Sequence, residues 1–179
     1  VLRSGNWQVT VAVNHDENRI TALFPGLRET PLLGLAIDLG STTIAAHLCD
    51  LSTGEVRASG GMMNPQIRFG EDLMSRVSYS MMNPGGDLEM TAAVRQALDA
   101  LTVELATEAG VPSGDIVEAV IVCNPVMHHL LLGVDPMELG QSPFALATSD
   151  ALRLAATDIG LTSIADGARV YILPCIAGH

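Results

Sequence analysis

Six consecutive residues, Asp38-Leu39-Gly40-Ser41-Thr42-Thr43, place a carboxylate, a glycine and three hydroxyls between two apolar runs. A plain two-residue hairpin turn asks only for residues tolerant of positive φ, such as Asn-Gly. This density of oxygen and N–H groups suits another purpose. Gly40 permits close backbone approach and positive φ. Backbone N–H groups and the hydroxyls of Ser41, Thr42 and Thr43 can then form a nest for phosphate oxygens. Asp38 would repel a phosphate directly. A carboxylate there is understandable if Mg²⁺, held through its waters, lies between the two. The competing reading is a turn in which Asp38 and the hydroxyls cap backbone groups. These residues alone leave both open.

Asn124 stands after a β-branched run ending at Cys123, where α/β folds bring polar groups to a cleft. It could position a phosphate or a water, or cap a helix opening at Pro125. Asn64, Gln66, Arg68, Glu71 and Asp72 cluster further along. They form the lip of a cleft or a partner surface, or else Asn64-Pro65 is a turn and Glu71 and Asp72 satisfy helix N–H groups. For Glu71 and Asp72 the second reading is favoured; Arg68 and Arg76 stay open. His128 and His129 are adjacent, so on a helix they point about 100° apart and cannot share a metal as a pair spaced by four would. The pairs Met62-Met63 and Met81-Met82 flank Asn-Pro turns, where an exposed patch is worth seeking; most methionines fill core gaps.

Composition removes several chemistries. The 179 residues carry a formal charge of −11, and all nine basic residues are arginines. Without lysine there is no Walker A cation, Schiff base or lysine general base. The acidic balance also argues against a nucleic-acid surface. Cys49, Cys123 and Cys175 are far apart, with no CxxC pair to hold zinc or an iron–sulfur cluster. They read as buried reduced thiols. No apolar stretch approaches the ~20 residues of a membrane span, and no signal-peptide pattern is present. The expectation is a soluble cytoplasmic protein with no membrane or nucleic-acid partner.

The elements that must position these residues follow from periodicity. Residues 7–13 and 18–24 alternate as a β hairpin, and "PGLRETP" after them is a linker. Residues 33–39, 43–51 and 55–62 read as a three-stranded antiparallel meander. Leu73, Val77 and Met81 lie at helical spacing, and after "NPGGD" a longer helix capped by Asp87 runs to about Ala109. Its stripe is Ala93, Val94, Ala97, Leu98, Leu101 and Leu105, and Gly110 closes it. Ile116 opens a buried parallel strand, Pro125 a short helix, and "ARVYILPCIAG" the last strand. A boundary near Glu29 divides residues 1–29, the end of an upstream unit, from residues 30–179, an α/β half-domain. A chain that begins at Val1 and stops at Gly178-His179 reads as a piece of a longer protein.

"AIDLGSTTIAAHLCDLSTGEV" resembles the first phosphate motif of the superfamily of actin, the sugar and acetate kinases and the heat-shock chaperones. "MNPQIRFGEDLMSRV", "VIVCNPVMHHLLLGVDPMELGQSPF" and "YILPCIAGH" resemble the ferredoxin-fused reductive activators of corrinoid-dependent methyltransferases. The first motif is widely shared, and "NPVMHHLLLG" is the more telling. The resemblance covers about residues 32–179. It implies the first lobe of a ribonuclease-H-like, actin-like ATPase domain, truncated before the second lobe. It implies ATP and Mg²⁺ as cofactors, with Asp38 at Mg²⁺ and Gly40, Ser41, Thr42 and Thr43 at phosphate. It further implies a 2Fe–2S cluster in a ferredoxin domain outside this chain. The implied work is ATP-driven electron transfer to a Co(II) corrinoid protein, the implied partner. Homodimerisation and the catalytic base stay open. Half a cleft would bind nucleotide weakly or not at all. The alternatives are a phosphotransferase of the sugar- or acetate-kinase kind and a non-catalytic docking module.

Overall fold

The computed structural model describes residues 1–175. Strands β1 (Val9–Asn14) and β2 (Arg19–Pro25) pair only with each other, as an antiparallel hairpin. Strands β3 (Leu33–Leu39), β4 (Thr43–Asp50) and β5 (Val56–Met63) form the meander. Helices α1 (Leu73–Met82) and α2 (Gly86–Glu108) follow. Then come β6 (Ile116–Cys123), α3 (Pro125–Leu132), β7 (Leu152–Ala155) and β8 (Arg169–Ile172). The six-stranded sheet has the order β5-β4-β3-β6-β8-β7; β6 lies parallel to β3 and to β8, and β7 runs antiparallel to β8. This is the ribonuclease-H-like, actin-like α/β half-domain, with β7 added at one edge.

Alternation in the strands sets which face is covered. Leu35, Ile37 and Leu39 of β3, Ile44, Ala46 and Leu48 of β4, and Ala119 and Ile121 of β6 are all buried. They join Val94, Leu98, Leu101 and Leu105 of α2 in one core. The period of two means that a one-residue slip would turn the whole set outward, so burial pins the register. Gly60 of β5 lies directly beneath α2: a Cβ there would be 3.1 Å from Leu105 Cδ2. Helix α2 ends as its stripe predicts. Gly110 takes φ 67, and Val111 donates to the Ala106 carbonyl at 3.0 Å, closing the last turn in a Schellman arrangement.

The β1–β2 hairpin docks on the sheet by its charged turn and one edge. Arg169 pairs with Glu17 at 2.6 Å and Arg28 with Asp115 at 2.8 Å, all four side chains being largely shielded. Thr21 and Ala12 are buried. A side chain at Gly167 would strike the Thr21 carbonyl at 2.7 Å.

Four sequence expectations are corrected. Asp87 does not cap α2; the cap is Gly85 at φ 85 with no side-chain bond, and Asp87 lies in the first turn, where its charge suits the helix dipole. The covered face of α1 is not Leu73–Val77–Met81: Met81 is exposed, and Arg76 and Ser80 are buried beside Val77. Strand β8 stops at Ile172 rather than running on, because Pro174 has no N–H to give a ladder; residues 176–178 of that expectation, and His179, lie outside the described residues. Strand β7 carried too short and too weak a pattern to be read.

Candidate functional site

The β3–β4 turn is a three-residue loop, Gly40 to Thr42, closed by Gly40, whose N–H donates to the Thr43 carbonyl at 3.1 Å. Gly40 is required by approach and not by φ: it is absent from the positive-φ positions, but a Cβ there would lie 2.5 Å from Thr43 O. The expectation of positive φ is thus corrected. Every carbonyl of the loop turns inward to a partner. Asn64 donates from Nδ2 to Gly40 O at 2.8 Å and from its backbone to Thr42 O at 2.8 Å. Arg76 donates to Ser41 O at 2.5 Å. A peptide plane whose carbonyl points in must point its N–H elsewhere. The N–H groups of Ser41 and Thr42 donate to no backbone carbonyl among the described residues, and the Thr42 and Thr43 side chains are exposed.

Beneath the loop lies a polar cluster that the sequence located only in part. Asn64, Gln66 and Arg76 are 1 %, 0 % and 0 % exposed. Asn64 Oδ1 accepts from Gln66 N at 2.9 Å, capping the short 3-10 turn Pro65–Phe69. Gln66 Nε2 donates to the Met90 carbonyl of α2 at 3.0 Å. The Arg76 guanidinium spans the cluster: Nε donates to Gly70 O at 3.0 Å and Nη1 faces Gln66 Oε1 at 3.4 Å. The Met127 thioether of α3 faces both Arg76 Nη1 at 3.2 Å and Asn64 Nδ2 at 3.5 Å. Desolvation pushes the Arg76 titration downward, and nearby Asp72 opposes this. The sequence singles out Asn64 and Gln66 and leaves Arg76 open, and the Asn64-Pro65 turn is found with Asn64 as its cap; nothing in the spacing points to Met127.

The candidates lie at one edge. Asp38 is exposed at the end of β3, level with Val122, and Leu39 is level with Cys123. Asn124 therefore sits across from the loop, at the carboxyl ends of the parallel strands. Its Oδ1 accepts from Met127 N at 3.0 Å, so it caps α3; its amide nitrogen remains available to donate. Asp72 caps α1, accepting from Ser75 N at 2.7 Å, and that bond holds its carboxyl below the ordinary range. Arg68 stacks on Phe69 at 4.6 Å, away from the cluster. Burial pushes the Cys123 thiol up to about 12, with neighbouring Cys175 and Asp38 adding to it.

Both histidines are buried. His129 bridges Pro125 O and the Ala147 N–H at 2.8 and 3.0 Å. Among the described residues His128 has no hydrogen-bond partner at either ring nitrogen, and desolvation lowers its titration point. No group of three or more potential metal-ligating side chains occurs among the described residues. Met63, Met74, Met81 and Met82 are exposed. A groove of about 570 Å³ between β2 and residues 164–167 lies at the other end of β6, far from Asp38. No helix is long and apolar enough to cross a membrane among the described residues.

The arrangement can present a pair of unclaimed N–H groups and two exposed hydroxyls to an anion, with a carboxylate beside them for a hydrated cation. Comparison with known proteins agrees with the fold. Residues 33–179 match the family described as RACo middle region. The corrinoid activation enzyme RamQ of Eubacterium limosum is 31% identical over 162 residues, 90% of this chain and 27% of that protein. A solved reductive activator for corrinoid, iron-sulfur protein is 32% identical with a TM-score of 0.87, over 100% of this chain and 29% of that one. The chain thus spans less than a third of either relative. With most of its length matched and the fold shared, the chain belongs to the RACo middle region family.

Proposed function

We propose that this chain is the first lobe of the nucleotide-binding domain of a reductive activator, one that uses ATP to drive an electron from an iron–sulfur domain to a Co(II) corrinoid protein. Residues 30–179 form that lobe, and residues 1–29 end the preceding linker unit. The observation that carries the reading is the β3–β4 loop, whose carbonyls are all taken from within. A turn needed only for chain reversal has no use for such support. The corrinoid partner is taken from the two relatives, a corrinoid activation enzyme and a reductive activator for corrinoid, iron-sulfur protein.

In this reading the N–H groups of Ser41 and Thr42, approached closely because Gly40 lacks a side chain, hold phosphate oxygens, and the Thr42 and Thr43 hydroxyls add donors. Asp38 accepts from the waters of Mg²⁺, which neutralises phosphate charge when bound. Asn124 offers its amide nitrogen from the facing strand end. In this reading the 2Fe–2S cluster is carried by another domain of a longer, cytoplasmic protein. One lobe alone binds nucleotide weakly or not at all.

The test is ATPase activity of the full-length protein with and without a Co(II) corrinoid protein, for wild type and Asp38→Ala. Stimulation that disappears in the variant is expected. ATP turnover indifferent to the corrinoid protein would favour a phosphotransferase, and no turnover in either protein would leave a docking module.

A further inference from the structure

Arg76 is the largest fully buried side chain in the structure, and no carboxylate lies within ion-pair distance of it among the described residues. Its five N–H groups meet only neutral acceptors: Gly70 O, Ser41 O, Gln66 Oε1 and the Met127 sulfur. A guanidinium cannot shed its charge in a protein, and a buried charge without a counter-charge is expensive. Asp72 acts on Arg76 only from beyond ion-pair distance. The peptide whose Ser41 carbonyl Arg76 holds carries the Thr42 N–H, which donates to no backbone carbonyl among the described residues.

We propose that Arg76 is a positioning residue for a phosphate group on the β3–β4 loop, acting from beneath it. This rests on the phosphate reading of the loop given above. Arg76 fixes the Ser41–Thr42 peptide plane and polarises its Thr42 N–H, and the bound phosphate supplies a close counter-charge across that single peptide. The contribution therefore scales with phosphate charge and not with the base or sugar of the ligand. Asn64, which holds the two flanking carbonyls, sets the geometry but brings no charge.

The experiment uses the full-length protein, wild type, Arg76→Met and Arg76→Lys, with Mg-ATP and adenosine affinities measured by isothermal titration. Methionine keeps much of the apolar reach but leaves the Gly70, Ser41 and Gln66 oxygens without their Arg76 donor, so folding of each variant is checked by circular dichroism first. The expected result is Mg-ATP affinity lowered about 10- to 100-fold in Arg76→Met, the range for losing a charge-assisted hydrogen bond, with adenosine affinity changed less than about twofold and Arg76→Lys intermediate for Mg-ATP. Equal losses for both ligands would make Arg76 a purely structural residue and overturn the proposal, as would undiminished ATP binding by Arg76→Met. If Arg76→Met fails to fold, Arg76→Lys decides alone: a selective loss for Mg-ATP supports the proposal, and none refutes it. Asp38→Ala separates the two levels. If it abolishes Mg-ATP binding while Arg76→Met does not, the loop reading survives and this inference fails. Wild type that binds no Mg-ATP sinks both.

Discussion

Replacing Asn64 by alanine tests the claim that the β3–β4 loop is held from below. Asn64 is 1 % exposed and makes two side-chain bonds of good length, to Gly40 O at 2.8 Å and from Gln66 N at 2.9 Å. A typical net hydrogen bond contributes about 1 kcal/mol, and leaving its buried partner unsatisfied adds about 1–3 kcal/mol. The Gln66 N–H is buried in the 3-10 turn and stays orphaned in the variant, whereas Gly40 O lies in a half-buried loop and can recover water. The loss is thus about 3–5 kcal/mol, the sum of two bonds and one orphaned donor. Equilibrium urea unfolding followed by far-UV circular dichroism reads it as a lower midpoint at unchanged slope. Asn64→Ser sharpens the test. Serine caps turns almost as well as asparagine but cannot reach Gly40 O, so it should recover all of the loss except that one bond, about 1 kcal/mol. A destabilisation below about 1 kcal/mol for Asn64→Ala, or full recovery by serine, would refute the reasoning that the side chain spans both groups.

Three further outcomes follow from the geometry. Gly40→Ala forces a Cβ to 2.5 Å from Thr43 O; it should cost about 1–3 kcal/mol as an overpacking change, with amide shifts confined to residues 38–43 in NMR spectra. His128 titrates below its ordinary value because it is desolvated and has no partner. The unfolded chain therefore binds a proton first as pH falls from about 6.5. Stability should drop through that window towards the lowered folded value, at up to ~1.4 kcal/mol per pH unit, and His128→Met should flatten this part of the profile. Cys123, with its thiol pushed up to about 12, should alkylate with iodoacetamide at pH 8 at least ~10-fold more slowly in native protein than in urea; equal rates would show the thiol accessible as thiolate.

What the residue pattern determined by itself was everything that depends on period and punctuation. Alternation in residues 33–62 is a local property, and it specified the meander to within a residue at each strand end. The same holds for the α2 stripe and for Gly110, since helix period and a left-handed residue are both written in sequence order. The parallel setting of β6 was legible in its nearly continuous apolar run and is found, but the strand is covered on one face only, Val120 and Val122 being exposed. The loop residues Asp38 to Thr43 were visible as a chemical anomaly between two strands, and Asn124 as the residue at a strand's carboxyl end.

Only the tertiary structure decided what supports the loop. Arg76 stands 35 residues from Ser41 and Met127 a further 51 beyond Arg76, so no spacing rule links them. Burying an arginine's charge is costly, and the sequence leaves Arg76 open; four acceptors converging from the Pro65–Phe69 turn, Gly70 after it, the loop and α3 bury it. This also rotated α1, burying Arg76 and leaving Met81 outside. Strand β7 exists because β8 offers it an edge to pair with, and Gly40 is needed because Thr43 folds back on it. Each is a consequence of distant backbone brought into contact, which a one-dimensional pattern of apolar and polar residues does not encode.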